Sequence, residues 1–141
     1  MKLRAWGTTV LLTSAALAQN LRYQPDPGWR APAAAASQPN PLASKPEAAG
    51  GRKLFLRNCS ECHGAEGMGI AEKHSADLRL AVVQQQSDGT LYWKISNGNS
   101  SRRMPSFSKL PSLERWQLIL FIRTLKPLPT PAAGQSKTES N

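Results

Sequence analysis

Cysteine and histidine are scarce in this chain, two of each, and three of the four fall together in Cys59-Ser60-Glu61-Cys62-His63. Cys-x-x-Cys-His is the spacing at which a c-type haem is attached. Two thiols three positions apart at a helix end can each add across one of the two vinyl groups of a porphyrin. The histidine after the second thiol then lies beneath the iron, where an imidazole nitrogen can bind it. Covalent attachment prevents loss of the group and gives a short chain a large apolar centre.

Three plainer chemistries compete for the same residues. A redox dithiol of the thioredoxin type would sit in a βαβ unit, and no such pattern surrounds this one. Zinc would need Cys59, Cys62, His63 and His74 together, with His63 adjoining Cys62 and no second spaced pair of ligands. A disulfide between cysteines three apart would close a very small loop, with little effect on stability. The haem reading therefore leads.

An iron in porphyrin has one more axial position. Met68 and Met104 have the sulfur for it, and His74 has an imidazole. Met68 follows His63 by only five residues, too near to reach the opposite haem face. His74 would give a bis-histidine iron of lower potential. Met104 stands in Arg102-Arg103-Met104-Pro105-Ser106-Phe107, where the proline fixes the backbone so that the thioether points one way. Met104 is the expected distal ligand, with Cys59, Cys62, His63 and Met104 holding one haem c.

Three main helices are expected to position these residues. Ser44-Lys45-Pro46-Glu47 has capping-box spacing and opens a helix that carries Ala48, Gly51, Leu54 and Phe55 as far as Asn58. Gly50 and Gly51 cost it roughly 1 kcal/mol each, which is tolerable where another helix crosses closely. A second helix follows Ser87-Asp88, carries Leu91, Tyr92, Trp93 and Ile95, and stops at Gly98. The third begins at Ser112, is apolar nearly all round through Trp116 and Leu118-Ile119-Leu120-Phe121-Ile122, and ends near Leu125 before Pro127. No alternating strand pattern competes, so the expected fold class is all-α.

The rest of the 141 residues frames that core. Lys2 and Arg4, the uncharged stretch 5–18 and its Ala16-Leu17-Ala18 ending read as a secretory signal cleaved after Ala18. Fourteen uncharged residues fall short of the ~20 that a membrane span needs. Export, to a periplasm or its equivalent, is the expected localisation. Six of the 11 prolines lie between Gln19 and Gly50, so residues 19–43 are expected to form a Pro/Ala-rich disordered arm. Residues 127–141 resemble it. The domain proper is expected over 44–126, too short for a self-sufficient core without a bound group.

With these residues in view, the chain resembles the class I cytochromes c of exported bacterial type. Gly51-Arg52-Lys53-Leu54-Phe55 before the haem motif carries the likeness, as do residues 87–98, Met104-Pro105-Ser106-Phe107 and the helix 116–125. The resemblance implies a compact fold whose first and last helices cross near Gly51 and Phe55, with Trp93 and Phe107 lining the haem pocket. It also implies a proline whose carbonyl accepts the proximal imidazole N–H. No proline lies between His63 and Met104, so a backbone carbonyl near Ser75-Ala76-Asp77-Leu78 is expected in its place.

With both axial positions filled, the expected function is one-electron transfer between exported redox proteins and not an enzymatic reaction. The alternative is a haem subunit of a larger dehydrogenase or oxidase; a peroxidase or gas sensor would need a labile sixth position. Lysine and arginine outnumber acids 18 to nine, for a net charge of +9. Arg102, Arg103 and Lys109 flank the distal loop, where an acidic partner would be steered. A nucleic-acid partner is not expected of an exported haem protein, and a monomer or a complex subunit is.

Overall fold

The computed structural model describes residues 26–44 and 48–125. The expected signal, the capping-box residues 45–47 and the tail 127–141 lie outside the described residues. Among the described residues, six α-helical segments occur in order: α1 Ala33–Ala36, α2 Ala48–Asn58, α3 Ser60–His63, α4 Ala81–Gln84, α5 Asp88–Asn97 and α6 Ser112–Thr124. Among the described residues there is no strand. The one β-type feature among them is an isolated antiparallel bridge between Asn99 and Met104. No described helix is long and apolar enough to cross a membrane.

α2 and α6 form the frame. They cross where Gly51 meets Gln117: a Cβ on Gly51 would fall 2.1 Å from the Gln117 carbonyl oxygen. Only a residue without a side chain lets the two backbones come so near, so the helix-weakening glycine is there for packing. One turn on, the Phe55 and Phe121 rings sit 5.0 Å apart at 51°, a tilted contact of the kind aromatic pairs prefer. Phe55, Leu118 and Ile119 are fully buried, each contributing about 1.5–3 kcal/mol by removal from water.

α5 closes the bundle. Ser87 caps it by accepting the Thr90 N–H, Asp88 lies in its first turn, and Gly98 ends it with φ +67°, the polarity expected of a helix dipole. Arg123 near the end of α6 donates to Asp88 through Nε at 2.9 Å. It also donates through its two terminal nitrogens to the Gln84 and Gln86 carbonyls. That fan ties α4, α5 and α6 together. Leu91 and Ile95 of α5 face the same core as Trp116 and Ile122.

The arm expected to be disordered is instead packed over residues 26–44. Leu42 is 7% exposed and belongs to the core, and Asn40 is 6% exposed. The Asn40 side chain accepts the Leu42 N–H at 2.9 Å and donates to the Trp116 carbonyl at 3.4 Å. α1 lies on the start of α5: the Ser87 hydroxyl donates to the Ala36 carbonyl at 2.6 Å. A Cβ on Gly89 would fall 2.1 Å from the Ala35 oxygen. The prolines that suggested a linker instead direct a strap across the surface of the bundle. Few backbone N–H groups are lost, because the strap has a single helical turn to satisfy.

Candidate functional site

α2 carries the chain to the cysteines. Its last turn passes Cys59 N–H to the Phe55 carbonyl at 2.8 Å, and α3 follows, with the Cys62 and His63 N–H groups both directed at the Cys59 carbonyl. α3 thus sets Cys59, Cys62 and His63 on one short turn. Gly64, at φ +73°, turns the chain away. Both cysteines are free and partly buried. Burial first, and the neighbouring Cys62 second, push the Cys59 thiol up to about 12. It therefore stays a thiol near neutral pH, unlike the low-pKa thiolates of redox dithiols.

All of the expected ligands border one cavity of about 410 Å3, within the roughly 300–1,000 Å3 of small-molecule and cofactor sites. Cys59, Cys62 and His63 form one part of its wall and Met104 another, with Phe55, Leu91, Ile95, Phe107, Leu118 and Ile122 filling between. A large, mostly apolar hollow against two unpaired thiols and an imidazole is what an enclosed haem requires. No group of three or more His, Cys, Asp or Glu among the described residues could hold a metal ion, so the zinc arrangement is not assembled. The donor set fits haem, with the thiols as covalent anchors and His63 and Met104 as axial candidates.

His63 is held by its backbone neighbours. Its Nδ1 lies 3.0 Å from the Ala76 carbonyl oxygen, a contact in which the ring nitrogen donates, leaving Nε2 as the free ligand atom. Burial lowers the His63 pKa and the Ala76 contact raises it, burial being the larger influence. The imidazole is thereby kept in its neutral, metal-binding form. Ala76 supplies the carbonyl expected from this loop in place of a proline.

The loop is fixed on both sides of Ala76. The Ser75 hydroxyl donates to the Cys62 carbonyl. Asp77, fully buried, accepts the Arg79 N–H, Nε and Nη2 at 2.9, 2.9 and 2.7 Å. Beneath it, a Cβ on Gly69 would come 2.7 Å from the Ser75 oxygen and 3.0 Å from the Ala76 oxygen. A rigid pair of side chains does here what a ring-locked backbone would otherwise do. The Asp77–Arg79 pair carries no chemistry of its own, and its two-residue spacing gave no signal in the sequence.

Met104 is held by the bridge to Asn99, with N–H to O distances of 2.8 and 2.9 Å in the two directions. After Met104 and Pro105 the chain is pinned to α5 by Phe107 N–H to the Ile95 carbonyl at 3.0 Å and by the Ser106 hydroxyl to the Ser96 carbonyl at 2.6 Å. His74 also borders the cavity. Its segment is the one held against Cys62 and His63 by Ser75 and Ala76, so it belongs to the proximal side. Met68 is 37% exposed and is not part of the wall. Of the two aromatics expected to line the pocket, Phe107 does and Trp93 does not; its neighbour Lys94 takes that place, and Trp29 joins from the strap. α5 turns Leu91, Lys94 and Ile95 to the cavity, so a one-residue error in phase exchanges Trp93 for Lys94.

Cations gather at one rim. Lys94, Arg102 and Arg103 border the cavity near Met104, while Glu61, Glu72 and Lys73 border it near the cysteines. Lys73 pairs with Glu61 at 2.9 Å, which leaves the Met104 rim the more positive one.

In comparisons with known proteins, the family model described as cytochrome C oxidase, cbb3-type, subunit III matches residues 46–122, more than half of the chain. No curated protein and no solved structure matched it.

Proposed function

We infer that this chain, which belongs to the cbb3-type cytochrome c oxidase subunit III family of c-type cytochrome domains, carries electrons singly through one haem c ligated by His63 and Met104. Haem-based electron transfer is the activity the family gives. The observation that carries the finer reading is the shared cavity, whose wall takes in both thiols, His63 and Met104. The bound haem supplies one-electron chemistry at its iron.

The protein's own residues divide the remaining work. Cys59 and Cys62 anchor the group as thioethers. His63, its Nδ1–H committed to the Ala76 carbonyl, presents Nε2. Met104 presents a sulfur that favours the reduced state relative to a second imidazole. Phe55, Leu91, Ile95, Phe107, Leu118 and Ile122 exclude water. The positive rim at Lys94, Arg102 and Arg103 favours a weak, salt-sensitive encounter with an acidic partner. Between Ser44 and Lys126 the chain carries 13 cations against seven acids, in keeping with such steering. The N-terminal Lys2, Arg4 and uncharged stretch support export of the finished protein.

Absorption spectra of the haem protein beside Met104→Ala test this reading. The wild type is expected to contain one haem per chain and to be low-spin, with a methionine–iron charge-transfer band. The variant is expected to lose the band and bind cyanide or carbon monoxide readily. Survival of the band in Met104→Ala would remove Met104 from the site. The second reading, a haem subunit in a larger oxidase, is favoured by the description of the matching family. Co-purification at fixed stoichiometry distinguishes it from a free monomeric carrier.

A further inference from the structure

Met104 is fixed by two residues, and both are held from outside the bundle by the strap. Gly98 ends α5 at φ +67°, with the backbone of Met104 and Pro105 lying directly against it: a Cβ there would meet the Pro105 carbon at 2.5 Å and the Met104 oxygen at 2.6 Å. The Trp29 indole N–H donates to the Gly98 carbonyl at 2.9 Å. Asn99, the next residue, forms the bridge to Met104, and its side-chain amide donates to Asp26 at 3.1 Å. Trp29 is itself part of the cavity wall beside Met104. Lys94, also in that wall, lies over the ring with its Nζ 4.6 Å from the centroid, a cation–π distance.

A linker has no need of these contacts. Neither the Asp26 nor the Trp29 bond secures the strap to the α2–α6 frame; each ends on a residue that touches Met104. Leu42, Asn40 and α1 provide the attachment to the frame at the other end of the segment.

We propose that Trp29, assisted by Asp26, is a positioning residue for the distal ligand: the strap clamps the 98–105 loop and keeps the Met104 sulfur at the iron and competing ligands out. The proposal rests on Met104 being that ligand. Exchange of Met104 for an external ligand requires the loop to open, and apparent affinity for that ligand scales with the fraction open. Loss of one hydrogen-bonded, ring-packed anchor raises that fraction by about tenfold.

The test uses the full-length haem protein and imidazole as the competing ligand. Trp29→Ala is expected to bind imidazole about tenfold more tightly than wild type, with a lower reduction potential. Trp29→Phe, which keeps a ring but no N–H, and Asp26→Ala are expected to shift affinity roughly threefold. They read the same quantity if Trp29→Ala yields no haem protein. Phe121→Leu weakens the α2–α6 crossing without touching the loop; it is expected to lower the melting temperature and leave imidazole affinity unchanged. Wild-type affinity and potential in all three strap variants would overturn the clamp and leave the Met104 ligand intact. Absence of the methionine–iron band in the wild type itself would instead overturn the ligand assignment.

Discussion

The two ends of the cavity wall, at His63 and at Met104, are built in opposite ways. On the His63 side, the proposed anchors and ligand come from five consecutive residues on one helical turn, and the supporting loop is locked by Ser75 and the buried Asp77–Arg79 pair. On the Met104 side, three separate segments converge: the end of α5, the loop 98–107 and the strap from Asp26. One side depends on local chain geometry. The other depends on tertiary contacts, each worth only about 1 kcal/mol. The difference assigns adjustability to the methionine side.

Removing the proximal anchors should have the largest effect. Cys59→Ser with Cys62→Ser is expected to abolish covalent haem, and with it cooperative thermal unfolding, because the cavity of about 410 Å3 at the centre of the core is then left unfilled. Haem staining after denaturing electrophoresis and a circular-dichroism melt would check both. Asp77→Ala is expected to cost about 3–5 kcal/mol, since it leaves Arg79 unpaired where its partner was buried. Denaturant unfolding measures this. If the methionine–iron band persists through that loss, the two sides are uncoupled, as the architecture implies.

Met104→Ala, at a half-buried site, should destabilise less, by about 2 kcal/mol, while changing the spectrum completely. Asn99→Ala removes the amide link to Asp26 and the side-chain acceptor for the Arg102 N–H. A cost of about 1 kcal/mol is expected, with faster imidazole binding by stopped flow. The smallest effect concerns acidity. The Asn99 amide and then the Gly28 N–H hold the Asp26 carboxyl below the usual carboxylate range. Its folded-state pKa being depressed, its contribution is present above pH ~4 and is lost as pH falls through the lowered value. The Trp29 indole N–H signal, followed by NMR through that acid range, should exchange faster as Asp26 protonates. A signal indifferent to pH there would separate Asp26 from the clamp.

What was readable in the sequence follows the same division. α5 announced itself by its Ser87 cap, its spacing and Gly98, and α2 and α6 by the spacing of their apolar residues, because such signals are local. The same holds for Cys59, Cys62 and His63. The Ala76 carbonyl was expected as a backbone group of its loop without being identified, since a carbonyl has no letter in the sequence. The strap was misread because alanine and proline between sparse apolar residues have the composition of a linker. Its anchors, Trp29, Asn40 and Leu42, are spaced by contacts with α5 and α6 and not by any period of their own. α4, at four residues, is too short to display a period.

Gly89 gives this arrangement an outward mark. The Ala35, Ala36 and Gln38 oxygens occupy the space around its missing Cβ, at 2.1 to 2.9 Å. Even alanine at position 89 would displace that crossing. Among related chains, glycine here should keep company with an indole some sixty positions upstream, and chains with a bulkier residue should lack both. The pairing would identify the members that cover their sulfur ligand from those that leave it to solvent.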